Sequence, residues 1–177
     1  MTDVTGVLTC ALPISTWRER GGLRLKEAKD AGYKVVGSYC LYAPAELIVA
    51  AGAIMVTLCG TSPKPIPAAE QVLPRTLCPL IKSSYGFAVT DTCPFFHFAD
   101  LIVAETTCDG KKKMYELLAD EKPLQLMQLP QIQDQEAALD YWLGELRRLK
   151  GRLEAAFGVA ITEEGLREAI SVWNDER

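Results

Sequence analysis

Thiols are the side chains of this sequence best placed to do chemistry. Six cysteines (Cys10, Cys40, Cys59, Cys78, Cys93 and Cys108) accompany one histidine, His97, in 177 residues. Their spacing is wide and irregular, no pair forms C-x-x-C, and the chain is too long for a disulfide scaffold. Reduced thiols in a cytoplasmic setting are the economical reading, and soft thiolate ligands select zinc or iron–sulfur clusters. Packing is the plainer use, because free cysteine buries like a small hydrophobe.

Three of the six are distinguished by what flanks them. In the stretch LIVAETTCDGKKK, the run Leu101-Ile102-Val103-Ala104 predicts a buried strand. It breaks at Glu105-Thr106-Thr107, and a helix is expected from Cys108-Asp109. A thiol between a strand's carboxyl end and a helix N-terminus meets the positive end of the helix dipole and unpaired N–H groups. Cys40 falls just past a strand expected over 34–39, and Cys78 in the first turn of a helix expected over 75–88. Ligands of open parallel sheets collect outside the carboxyl ends of the strands, so the three thiols are expected on one rim. Three protein ligands would leave a coordination position open, as catalytic sites do.

Other residues carry weaker signals. Glu46 and Glu105 are carboxylates near the same rim, suited to supporting hydrogen bonds or proton relay, or equally to capping and pairing. Ser83-Ser84-Tyr85-Gly86 offers the Ser84 and Tyr85 hydroxyls to a substrate or to cluster sulfur, and also reads as a plain helix terminus. His97, between Phe96 and Phe98, reads as a packed histidine, with ligand or proton donor as the alternative, and Lys111-Lys112-Lys113 as a solvated helix face, with a phosphate or partner contact as the alternative. No catalytic acid or base is identified.

The elements that must position these residues alternate. Strands are expected over 34–39, 53–58, 101–104 and 123–129. Helices are expected over 17–31, from Ala43-Pro44-Ala45-Glu46 to Gly52, and over 75–88, 108–119 and 136–157, with another N-capped by Thr162. The pattern predicts an α/β fold: a Rossmann-like parallel four-stranded sheet with helices on both faces and a C-terminal helical segment. Residues 1–16 read as a poorly specified extension, 17–132 as the α/β cluster-binding domain, and 133–177 as the helical segment. The loop bearing Pro63, Pro65, Pro67 and Pro74 is long enough to suggest function.

Composition narrows the choices. A hydrophobic content of 49% supports a core without disulfides. A net charge of −4 and a pI of about 5.1 argue against a nucleic-acid binder or an anionic-membrane binder. No apolar run is long enough to span a bilayer, and Asp3 stands where a signal peptide would be basic.

The segments GSYCLYAPAELIVAAGAI, PRTLCPLIKSSYGF and DLIVAETTCDGKKKMYELL resemble the 2-hydroxyacyl-CoA dehydratase D-component family, also described as HgdB-like or benzoyl-CoA reductase-like. LCGTSPKP, DTCPFFHFAD and LMQLPQ resemble its double-cubane cluster protein branch. The resemblance implies a [4Fe-4S] cluster on Cys40, Cys78 and Cys108, or a double-cubane [8Fe-9S] cluster that recruits Cys59 and Cys93. It implies an oxygen-sensitive protein fed low-potential electrons by an ATP-dependent iron–sulfur activator, for reductive or radical dehydration of an acyl-CoA thioester or small molecule. It also implies a homo- or heterodimer with a family-related partner chain. Family members are about twice this length, so a second α/β domain is expected beyond residue 177. The glycine-rich phosphate loops G-x-G-x-x-G and Walker A are absent, which assigns any ATP hydrolysis to a separate protein. The alternatives are a non-enzymatic α/β scaffold with structural thiols, docking through the helix from Glu136, and a zinc-binding domain.

Overall fold

A computed structural model describes residues 14–40, 42–132 and 136–175. Cys10 and most of the extension expected over 1–16 lie outside the described residues. Four strands, β1 (Lys34–Ser38), β2 (Ala53–Thr57), β3 (Leu101–Glu105) and β4 (Leu124–Met127), form one all-parallel sheet in the order β2-β1-β3-β4. The α/β expectation therefore holds. Every residue of β3 is buried, as the continuous apolar run of a strand covered on both faces requires.

Strand alternation sorts the core into two halves. Val35 of β1 with Ile102 and Ala104 of β3 face one layer, while Val36 with Leu101 and Val103 face the other. The first layer is built from α1 (Ile14–Asp30), α4 (Pro79–Val89), α5 (Pro94–Phe98) and α6 (Asp109–Leu118), through Leu25, Tyr85, Phe96 and Met114. The second comes from α2 (Ala45–Ala50), α7 (Glu136–Phe157) and α8 (Glu163–Asp175). Leu149 and Leu153 of α7 are fully buried among Ile48, Val103 and Met127. Each such leucine contributes roughly 2 kcal/mol of burial. The helical segment after residue 133 is thus part of the sandwich, since α2 is only six residues long and could not cover that face alone. Thr162 caps α8 as expected, accepting the Gly165 N–H at 3.1 Å.

Three boundaries depart from the sequence reading. The helix expected over 75–88 begins only at Pro79, with Cys78 as its N-cap at φ −49°, ψ 129°. Proline at the first helical position forces the preceding residue out of the helical region, so Cys78 cannot lie in the first turn. The same rule makes Cys93 the N-cap of α5, a five-residue helix that was not expected. Glu105 ends β3, paired with Met127, rather than breaking it.

The proline-rich loop contains α3 (Ile66–Ala69) and lies along α4. Lys82, buried on α4, donates to Glu70 and to the Arg75 carbonyl, both at 2.7 Å, and Ser83 Oγ donates to the Ser62 carbonyl at 2.6 Å. The Lys82 ammonium pulls the Glu70 carboxyl below its usual range.

Candidate metal centre

Strand order reverses between β1 and β3, and their carboxyl ends flank the switch point where such sheets bind ligands. Register sets Ser38 beside both Thr57 and Val103. Two residues further along each strand, Cys40, Cys59 and Glu105 reach one common level. Cys40 adopts a left-handed φ of 71°, which costs a non-glycine residue about 1–2 kcal/mol. Its Sγ lies 3.5 Å from Thr107 Oγ1 and accepts a hydrogen bond from the Lys111 ammonium. The strained loop after β1 is thereby joined to the start of α6 through the sulfur itself.

Cys108 and Cys78 are the N-caps of α6 and α4, and both are exposed. An N-cap is ordinarily a serine, threonine, aspartate or asparagine, whose oxygen accepts an N–H of the first turn. Neither cysteine makes a side-chain cap bond, and among the described residues neither thiol has a hydrogen-bond partner. The two helix starts touch. A Cβ on Gly110 would fall 2.8 Å from Ile81 Cδ1 and 3.0 Å from Leu77 Cδ1. Glycine at 110 permits that approach, which sets Cys78, next to Leu77, on the same side as Cys108.

Among the described residues no three His, Cys, Asp or Glu side chains are close enough to hold a single metal ion. A cubane asks for something different, because each thiolate binds its own iron and the sulfurs stand around the cluster. Thiols on three separate segments, Cys78 and Cys108 exposed and Cys40 half-buried, have the chemistry that such a group requires.

Beneath the thiols the rim holds unsatisfied polar atoms. Ser38 Oγ, both carboxylate oxygens of Glu105 and the Tyr115 hydroxyl are buried with no hydrogen-bond partner among the described residues. Leaving such a group unpaired costs about 1–3 kcal/mol. Burial pushes the Glu105 carboxyl above its usual range. The N–H groups of Ala43 and Tyr42 and the Lys111 ammonium face it and offset part of that, without closing a hydrogen bond. Burial, then the proximity of Cys40, Tyr39, Glu105 and Cys108, raises the Tyr115 phenol. Its ring lies 5.7 Å from that of Tyr39, whose phenol is raised by burial and by Cys93 and Cys59.

The other expected site residues fall in different places. Glu46 is half-buried in the first turn of α2. Cys59 is exposed on the rim, and Gly60 after it presses on α4, where a Cβ would meet Ser84 N at 2.3 Å. Ser84 lies in the middle of α4, not at a terminus. Its Oγ donates to the Leu80 carbonyl at 2.8 Å and accepts the Gly60 N–H at 3.0 Å. Tyr85 is a core residue, and burial followed by Glu121 and Asp120 raises its phenol. Those acids follow the far end of α6, about 15 Å of helix from Cys108. Cys93 is half-buried as the N-cap of α5, which follows the roughly 16 Å length of α4. His97 is half-exposed, pairs with Asp91 at 2.8 Å and meets the Phe98 ring edge-on at 4.9 Å.

Tyr115, Ser38 and Thr107 were not found from sequence, and Lys111 was noted only as part of a basic cluster, not as a partner of Cys40. Lys111 did carry a signal. A cation in the first turn opposes the helix dipole unless an electron-rich group waits there, and Cys40 Sγ is that group.

Fold and rim together define a doubly wound α/β protein with a thiol-rich switch point. The chain belongs to the family of the 2-hydroxyglutaryl-CoA dehydratase D-component, whose model matches residues 40–177. It is 51% identical, over all 177 residues and 46% of the relative, to the Escherichia coli K12 protein named "Putative dehydratase subunit YjiM". It is 25% identical to (R)-2-hydroxyglutaryl-CoA dehydratase subunit beta of Acidaminococcus fermentans, over 86% of this chain and 41% of that one. To one of the benzoyl-CoA reductase subunits of Thauera aromatica it is 26% identical, over 86% and 39%. The chain spans less than half the length of these curated relatives.

Proposed function

We propose that this chain carries a [4Fe-4S] cluster on Cys40, Cys78 and Cys108 and forms the cluster-binding part of a dehydratase or reductase acting on acyl-CoA thioesters. The observation that supports it best is the pair of exposed helix-cap thiols, Cys78 and Cys108, with Cys40 at the switch point, near buried polar atoms that have no partner among the described residues. Such a cluster, when bound, supplies a low-potential one-electron carrier and an iron with an open position that acts as a Lewis acid.

The chain's own residues do the rest. Thr107 and Lys111 fix the Cys40 sulfur in position. Glu105, with its carboxyl raised by burial, can hold a proton at a carboxylate oxygen behind that sulfur. If the cluster is a double cubane, Cys59, two residues past β2 as Cys40 is past β1, is the extra thiol we favour over Cys93. An ATP-dependent iron–sulfur activator would deliver the electron, and the names of the relatives, as parts of larger enzymes, favour a family-related partner chain. A reducing cytoplasm suits open thiols, and among the described residues no helix is long and apolar enough to cross a membrane.

The test is reduction of the anaerobically loaded chain by a family activator protein with ATP, followed by the visible absorption of the cluster. Bleaching that requires both ATP and activator is expected. A loaded chain that the activator leaves unchanged, while dithionite reduces it, would contradict the assignment of partner and reaction.

A further inference from the structure

We infer that Lys111 is a positioning residue for the electron: its ammonium, bonded to the Cys40 sulfur, raises the reduction potential of the cluster that this sulfur holds. The inference rests on the cluster reading above and adds a role for a side chain outside the ligand set.

The three lysines at the start of α6 are not equivalent. Lys112 Nζ donates to Asp109 at 3.0 Å and Lys113 Nζ to Glu116 at 2.8 Å, each pairing three residues apart along the helix. Such pairs are ordinary for a helix surface. Lys111, half-buried, crosses instead to the loop after β1 and donates to Cys40 Sγ, 71 positions away in sequence. Its charge also reaches the Glu105 carboxyl, whose two oxygens nevertheless have no hydrogen-bond partner among the described residues. The sulfur is therefore the group to which the ammonium is bonded. A cation in the first turn of a helix opposes the dipole, and an electron-rich sulfur facing it offsets that cost.

The contact is specific to one of the three proposed ligands. Thr107 Oγ1, 3.5 Å from Cys40 Sγ, is neutral, so Lys111 is what brings charge to that sulfur. Cys78 and Cys108 are exposed N-caps that make no side-chain cap bond. Net charge and hydrogen bonds at the ligating sulfurs set the potential of an iron–sulfur site. Lys111 supplies both at once. Its positive charge favours the state in which one added electron makes that sulfur more negative, and partial burial limits how far salt can screen the effect.

The experiment is an absorbance-monitored redox titration, with iron per chain, of the anaerobically loaded 177-residue chain. Wild type is compared with Lys111→Met, Lys111→Gln, Lys111→Arg and Lys113→Met. Lys111→Met should keep its iron and be at least about tenfold harder to reduce, which is about 59 mV lower for one electron. Lys111→Gln, which can still donate to sulfur, should fall part of the way. Lys111→Arg should restore most of the wild-type value, and Lys113→Met should leave it unchanged. Full iron with an unchanged potential in Lys111→Met would overturn the inference and keep the cluster. An equal fall in Lys113→Met would also overturn it, by showing a general field in place of a contact. If Lys111→Met does not load, Lys111→Gln decides in the same way. Loss of iron from both folded variants would assign Lys111 to cluster assembly and overturn its role in the potential. No iron in wild type would overturn the cluster reading itself.

Discussion

The two edges of the sheet treat their polar groups in opposite ways. At the amino edge the Asp100 carboxylate accepts Lys29 Nζ at 2.6 and 2.7 Å and the Val35 N–H at 2.8 Å. Lys122 Nζ donates to the His97 and Ala99 carbonyls at 2.6 and 2.9 Å. At the carboxyl edge a cysteine sits at positive φ, two helices are capped by cysteines that make no cap bond, and three side chains are buried with no partner among the described residues. One edge is closed upon itself. The other keeps unsatisfied polar groups of the kind a protein retains where something outside the chain completes them, whereas left-handed backbone occurs on both sides, at Cys40 and at Asp91 (φ 49°).

That contrast can be broken at either edge. Asp100→Ala should have the largest effect, a loss of about 2–3 kcal/mol in chemical denaturation, because it leaves Lys29 and the Val35 N–H unpaired. Iron content should not change. Next comes Gly60→Ala, where the new Cβ would meet the α4 backbone. It should cost about 1–3 kcal/mol by overpacking and shift the Cys59 loop, read by denaturation and by Cys59 alkylation rate.

At the carboxyl edge the expected sign reverses. Cys40→Gly relieves the left-handed strain and should make the metal-free chain more stable by up to about 1 kcal/mol, while iron binding is lost. Glu105→Gln sharpens the same point through pH. A carboxyl whose folded pKa is raised contributes stability below its unfolded pKa and loses it as pH rises through the folded value. The metal-free variant should therefore be more stable than wild type at neutral pH, and the gain should vanish below about pH 4. Melting temperatures across pH would check both halves.

Much of this was readable in the sequence, for definable reasons. The apolar runs at 34–39 and 101–104 gave buried parallel strands, and the thiols placed just past them were legible as a rim because strand ends map to loops. Cys78 was misplaced by one turn because Pro79 overrides helical pattern at its neighbour. Ser84 and Tyr85 resembled site residues in a polar tetrapeptide, yet tertiary packing commits Ser84 to Gly60 and buries Tyr85 in the core. Tyr115 and Ser38 were invisible, since a lack of partners is a property of space and leaves no trace in spacing.

The most direct measurement is iron and acid-labile sulfide per chain, prepared anaerobically, in wild type, Cys108→Ser and Cys93→Ser. About four irons in wild type and Cys93→Ser, lost in Cys108→Ser, are expected if the carboxyl edge holds a cubane. Closer to eight, lost on substituting Cys59, would extend the same edge to a double cubane. Equal iron in wild type and Cys108→Ser, or its loss in Cys93→Ser alone, would contradict the division between the two edges.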